Sequence, residues 1–360
     1  MDFRAHHYLR GSAPDPGSVA HGGPCAPLRS LAGALCAPLV PCFGENINVK
    51  RRELLTSSAL ALLGVTTRGY AAAEPASGEP IIDIHQHLGY SGRPDDVLLA
   101  HQRAIGATRT ILLPAGRHAT GPSTHGGLAN GLQAEALGNE ACYQFVQAHR
   151  QAFLFGANDV PDLDGATREI ERYLKRGAVV IAEQKFGVEC DSPEMQKIYA
   201  LARAYDVPVL MHWQFKMYNY GFERFHKMLE KFPGVKFLGH AQTWWANIDR
   251  NHTDQTVLYP KGPVTPGGLT DRYLSDYPNM YGDLSAGSGL NALTRDEDFT
   301  HDFLTRHRNK LLFGSDCNDR DGGGPNCIGA QTIAAIRRLA ANREIERKLL
   351  YENAERLFRL

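Results

Sequence analysis

Pro80-Ile81-Ile82-Asp83-Ile84-His85-Gln86-His87 is a β-branched apolar run that ends in two histidines one residue apart. Alternation along an extended chain puts His85 and His87 on the same face. Two imidazoles side by side at a strand end make half of a metal site, because neutral imidazole is a common ligand for zinc and similar divalent ions. Three later apolar runs, 207–212, 235–240 and 311–316, also end in a ligand-type residue: His212, His240 and Asp316. One such histidine reads as a satisfied core residue. Four runs that end alike read as a shared metal site.

From about residue 80 the pattern alternates strand and helix to the end. Strands are expected at 81–85, 109–113, 153–158, 178–184, 207–212, 235–240, 279–283 and 311–315. Helices are expected between them, for example at 135–149, 166–176, 192–205, 222–231 and 297–308, with two more at 330–339 and 343–358. Eight strands separated by helices predict a parallel α/β fold. A (β/α)8 TIM barrel is favoured over a doubly wound sheet, because ligand-type residues recur at strand C-termini around the whole series. Only a closed ring brings them to one centre, at the C-terminal mouth. A nucleotide-binding sheet would need a Gly-rich turn after an early strand, and none is present.

The 360 residues carry a formal net charge of zero, which offers nothing to nucleic acid or an anionic membrane surface. No run in the folded region is long enough for a membrane span. Residues 1–48 are rich in Gly, Pro, Ala and Ser without periodicity, so disorder is expected. Segment 49–73 pairs Arg51-Arg52 with a moderately apolar stretch and ends in Ala71-Ala72-Ala73, which reads as a twin-arginine export signal. Its position predicts a translation start near Val49, with 1–48 not made. A periplasmic or envelope location follows, or a cytoplasmic one if the segment is not a signal. Cys142, Cys190, Cys317 and Cys327 would remain, too few for a disulfide scaffold, although Cys317 and Cys327 bracket a Gly-rich loop that a disulfide could close.

The ordered set His85-x-His87, His212, His240 and Asp316 resembles the amidohydrolase superfamily, in its amidohydrolase-related branch of small metal-dependent hydrolases and decarboxylases. The tail Asn353-Ala354-Glu355-Arg356-Leu357-Phe358 is similar to the Asn-Ala-x-x-Leu-Phe ending of that branch. The resemblance runs from about residue 80 to the C-terminus. It implies His85, His87, His212 and Asp316 as metal ligands. His240 becomes a further ligand if two ions bind, or a group that polarises the substrate if one does. On the fourth strand, Glu183 sits where glutamate-using branches place a bridging carboxylate. Lys185 is the alternative bridge or a substrate-binding cation, and the plainer reading is a Glu183–Lys185 ion pair.

The chemistry agrees with these roles. A bound divalent ion lowers the pKa of water from about 16 toward ~7. Asp316 can accept the water's proton and pass it on, and His240 can stabilise negative charge on a substrate oxygen. Zinc is the first expectation, with manganese or iron also suited, as one or two ions. Trp213 and Trp244, with Trp245, could wall an apolar or aromatic pocket or simply pack against the barrel loops. Asp283 and Ser285 end the seventh strand, where they could contact a substrate or support a metal ligand from behind, and Arg320 could pair with a substrate carboxylate or form a surface salt bridge. His118 and His125 lie in a polar loop that could act as a lid. The expected activity is hydrolysis of a C–O or C–N bond in a small molecule of lactone, ester or amide type. The alternatives are a non-oxidative decarboxylase of a small aromatic or unsaturated acid and a non-catalytic metabolite-binding barrel. The oligomeric state stays open.

Overall fold

The computed structural model describes residues 78–117 and 135–360. The expected leader (1–48), the signal segment (49–73) and the loop histidines His118 and His125 lie outside the described residues. Among those residues no helix is long and apolar enough to cross a membrane.

Eight strands follow in chain order: β1 (Ile82–Gln86), β2 (Arg109–Leu112), β3 (Phe153–Phe155), β4 (Ile181–Gln184), β5 (Val209–His212), β6 (Phe237–His240), β7 (Met280–Asp283) and β8 (Leu311–Leu312). They coincide with the eight expected strands to within a few residues. All pair in parallel with their sequence neighbours, as two runs, β1-β2-β3 and β4 through β8. Backbone hydrogen bonds join the runs at both seams. Beside β3, Val179 N–H donates to Phe155 O at 2.9 Å and Ala182 N–H to Ala157 O at 2.8 Å. Between β8 and β1, Ile84 N–H donates to Phe313 O at 3.2 Å and Asp316 N–H to His85 O at 2.7 Å. The ring is therefore a closed (β/α)8 barrel.

The barrel interior holds Ile82, Ile84, Ile111, Leu113, Val180, Ala182, Leu210, Leu238 and Leu312. Ala354, Leu357 and Phe358 of the last helix pack against this cluster and close it from below. The Asn-Ala-x-x-Leu-Phe ending is thus a plug. Its Asn353 amide donates to Arg308 O and Leu311 O, both at 2.8 Å, anchoring the tail under β8. A larger apolar shell, including Trp213, Trp244 and Trp245, fills the space between strands and outer helices.

Local signals explain several boundaries. Ser192 caps the helix Pro193–Tyr205 through Met195 N–H at 3.2 Å, with Pro193 in the first turn, where its missing N–H costs nothing. The tail departs from expectation. Residues 343–358 form not one helix but Arg343–Arg347, a π-helical turn Lys348–Glu352 and then Asn353–Phe358. The widened turn lets Leu349 O accept from Phe313 N–H at 2.8 Å, a bond a regular helix would have used internally.

Two strands carry an extra residue. Asp83 pairs with Thr110 but Gln86 pairs with Leu112, and Ile181 pairs with Val209 but Gln184 with Met211. Each is a bulge that shifts the inside–outside parity. Ile82, Ile84, Val180 and Ala182 already fill the interior, so strict alternation would turn His85 and Glu183 outward. The bulges re-aim both into the barrel mouth.

Candidate metal centre

β1, β4, β5, β6 and the segment after β8 deliver six side chains to one point at the C-terminal mouth. His85 Nε2 lies 3.2 Å from His87 Nε2. The Glu183 carboxylate stands between two histidine pairs. Its Oε2 is 3.5 Å from His87 Nε2 and 3.7 Å from His85 Nε2. Its Oε1 is 2.5 Å from His212 Nδ1 and 3.7 Å from His240 Nε2. Asp316 also straddles the site, with Oδ1 3.4 Å from His87 Nε2 and Oδ2 3.6 Å from His240 Nε2. The ligand set expected from sequence, including Glu183, is brought together.

Outer partners orient the rings. His87 Nδ1 donates to Leu113 O at 2.7 Å, which leaves Nε2 as an acceptor. His85 Nδ1 bonds Asp283 Oδ2 at 2.6 Å. Ser285 Oγ is 2.9 Å from His240 Nδ1 and donates to Asp283 Oδ2 at 2.9 Å. Gly314 is required here: a Cβ at that position would meet Asp283 Oδ1 at 2.6 Å and His85 Cβ at 2.8 Å. Backbone strain gathers at the same rim, with positive φ at Asp316 (43°), Ala241 (80°) and Ala286 (60°).

The donor set fits a divalent cation. Among the described residues, His240 Nε2 and Asp316 Oδ1 are buried without a hydrogen-bond partner, and both face the centre. His85, His87 and Asp316 offer three atoms mutually within 4.8 Å, and so do His85, Glu183 and His240. Two imidazole nitrogens facing each other at 3.2 Å repel unless a proton or cation lies between them. Burial lowers His85, but Asp316 and Asp283 more than offset it and hold its pKa well above the ordinary value. Burial, with His85 beside it, pushes His240 down to about 3, so that ring is neutral. Burial opposes ionisation of Glu183, yet Lys185 and His212 hold its carboxyl well below the usual range. Asp316 is likewise held low by His85 and His87 against the effect of burial.

Asp283 serves as support rather than as a substrate contact: it is fully buried behind His85, whose imidazole it orients. Trp244 is also a correction: it is fully buried in the outer shell, packed so closely on Gly239 that a Cβ there would meet its ring at 2.4 Å. Trp245 Nε1 donates to Asp283 O at 3.0 Å, so it supports the strand end. Trp213 packs on Phe222 and Phe225 and lines a cleft of about 340 Å³ together with Gln214, Phe215, Tyr218 and Tyr220. Gln214 Oε1 is 3.3 Å from His212 Nε2, so this cleft adjoins the centre. Lys185 makes no ion pair with Glu183 within 4.0 Å among the described residues; its Nζ lies 5.8 Å from the Tyr218 ring centroid. Arg320 is exposed on the loop beyond Asp316.

Two residues escaped the sequence reading. The Tyr90 ring packs edge-on against His87 at 4.9 Å, and its hydroxyl faces Asp316, whose charge, with burial, pushes the phenol up. The Tyr218 ring stands 5.3 Å from His212. Neither belongs to a spaced motif, and each sits in an irregular segment that only packing brings to the rim.

The family model described as Amidohydrolase matches residues 82–360. No curated protein matches the chain. Among solved structures, 2,6-dihydroxybenzoate decarboxylase from Rhizobium aligns at TM-score 0.53 and 13% identity, over 78% of this chain and 99% of that one. A probable 2-pyrone-4,6-dicarboxylic acid hydrolase from Acinetobacter baumannii aligns at 0.52 and 14%, over 78% and 100%. A dihydroxybenzoic acid decarboxylase from Polaromonas sp. JS666, with bound manganese, aligns at 0.50 and 17%, over 79% and 98%. At these identities the likeness concerns the barrel and not a reaction.

Proposed function

The chain belongs to the amidohydrolase family, and from that premise we propose that it is a hydrolase that holds two divalent ions and cleaves a C–O or C–N bond of a small molecule. The observation that carries this reading is Glu183, whose Oε2 faces the His85–His87 pair while its Oε1 faces the His212–His240 pair. A carboxylate so divided suits a bridge between two cations. His85, His87 and Asp316 would hold one, and His212 and His240 the other.

When bound, such ions supply the Lewis acidity that brings the pKa of water toward ~7. The chain's own groups do the rest. The Asp316 carboxylate accepts the proton of the attacking water and returns it to the leaving group. The Tyr90 hydroxyl orients that carboxylate. Lys185 sits near enough to Glu183 and Asp316 to feel both charges, and it offers a cation to an anionic substrate at the rim. The cleft beside Trp213 and Tyr218 takes the substrate's apolar part. Zinc is the ion we assign first, since imidazole and carboxylate donors suit it; manganese and iron accept the same donors.

Decarboxylation is the second reading, favoured by the same Lys185, which could hold a substrate carboxylate beside a single ion. Elemental analysis of protein purified without added metal, paired with turnover in oxygen-18 water, separates the two. About two ions per chain and labelled product support hydrolysis. One ion with carbon dioxide release and no label would replace it. No turnover across lactones, esters and amides would leave only a binding barrel. Export through segment 49–73 belongs to the proposal too; a native N-terminus upstream of Arg51 would end it.

A further inference from the structure

Beneath the loop that follows Asp316 lies a second group of ligand-type atoms. Cys317 Sγ and Cys327 Sγ are 3.9 Å apart, and His101 Nε2 is 3.4 Å from Cys327 Sγ. The three ligand atoms lie mutually within 4.8 Å, and all three residues are buried. A tetrahedral zinc ion would hold two sulfurs about 3.8 Å apart, and a sulfur and an imidazole nitrogen about 3.6 Å apart. A disulfide would bring the sulfurs to about 2.0 Å. The spacing matches the first arrangement.

The surroundings prepare each ligand. The Gln102 amide Nε2 donates to Asp83 Oδ2 at 2.9 Å and to Thr110 Oγ1 at 2.7 Å. Its Oε1 therefore faces His101 and accepts from Nδ1 at 2.9 Å. That leaves His101 Nε2 with its lone pair toward the sulfurs, the tautomer a ligand needs. Cys327 caps the helix Ile328–Leu339 and accepts from Ala330 N–H at 3.4 Å. The Cys317 carbonyl accepts from Arg93 Nη1 at 2.8 Å and from Gln86 Nε2 at 3.0 Å, which fixes the backbone that carries its sulfur.

The geometry points to a second, structural metal site formed by Cys317, Cys327 and His101, which takes zinc or another thiophilic ion and is separate from the centre at the barrel mouth. Binding displaces one proton from each thiol and involves no change of oxidation state. The ion ties both ends of the Gly-rich loop 318–326 to the helix Asp95–Ala104, which carries His101. Cys317 directly follows Asp316, so the clamp also holds Asp316 in its left-handed backbone conformation. The disulfide suggested by the sequence spacing becomes the competing state.

Cobalt substitution tests this on the whole protein. With cobalt(II), the wild type should show a near-ultraviolet thiolate-to-metal charge-transfer band, because the mouth centre contains no sulfur. His85→Ala/His87→Ala should keep that band, and Cys317→Ser/Cys327→Ser should lose it together with about one zinc per chain. In the wild type, an organomercurial added without reductant should release zinc in step with reaction of the two thiols. That readout does not depend on the serine variant folding. A missing band, release of no zinc, or two thiols absent from denatured, unreduced protein would each overturn the site, the last in favour of a disulfide.

Discussion

Asp316 donates its backbone N–H to the carbonyl oxygen of His85 at 2.7 Å, across the seam where the last strand meets the first. The two residues are far apart in sequence, yet this bond helps to close the barrel, beside that from Ile84 N–H to Phe313 O, and sets two of the metal-facing side chains relative to each other. Asp316 holds the contact at φ 43°, a costly conformation for a residue with a side chain. The strain is sustained because the carboxylate must turn toward the imidazoles while the backbone turns toward β1.

Asp316→Asn keeps the backbone bond and the shape but removes the proton acceptor. We expect kcat to fall by ~10²–10⁴-fold with an unchanged circular dichroism spectrum. A variant within a few-fold of wild type would remove Asp316 from the proton path.

Glu183→Gln loses the charge that faces both histidine pairs. Bound metal should drop from about two ions per chain to about one, read by elemental analysis of protein purified in parallel with wild type. Unchanged stoichiometry would mean that Glu183 bridges nothing.

Asp283→Asn leaves the His85 ring without its anionic partner. Metal affinity should weaken by ~10–100-fold, as for other outer partners of ligating histidines, measured by competition with a chelator. Equal affinity would reduce the 2.6 Å bond to packing.

Phe358→Ala empties part of the plug beneath the barrel. A loss of about 3–5 kcal/mol is expected in denaturant unfolding, with metal content unchanged in the folded fraction. A cost below ~1 kcal/mol would show that the tail is not needed to fill the interior.

Asp271 provides a pH test remote from the centre. Burial opposes its charge, but His307 at 2.6 Å, Arg306 at 2.5 Å and Gly267 N–H at 3.0 Å bring its pKa down to about 2. A folded-state pKa below the unfolded value means that the stabilisation is full above about pH 4 and fades as pH falls toward 2. Asp271→Asn should therefore be less stable than wild type at pH 7, with the gap closing between about pH 4 and 2. A constant gap across that range would assign the effect to shape and not to charge.

Much of this protein is legible in one dimension. The apolar strand runs, their helical spacers and the recurrence of His or Asp at strand ends carry the barrel and five of the six convergent side chains, because hydrophobic periodicity and the parallel α/β topology leave few other arrangements. Glu183 was legible only through resemblance. Trp213 lines the cleft as expected and Trp244 does not, because a large aromatic beside a ligand-bearing strand can face the mouth or the outer shell and sequence does not record which; Trp244 faces the shell. Asp283 stays open in the sequence for a related reason: a carboxylate at a strand end can meet substrate or support a ligand, and its 2.6 Å distance to His85 favours support.

What the chain determined by itself is which residues reach the rim, since strand order and length follow from local pattern. What only the tertiary structure decided is which way they point. One extra residue in β1 and one in β4 reverse the side-chain parity and turn His85 and Glu183 inward. Such bulges arise from pairing with a neighbouring strand, a relationship between distant segments that no local run of residues contains.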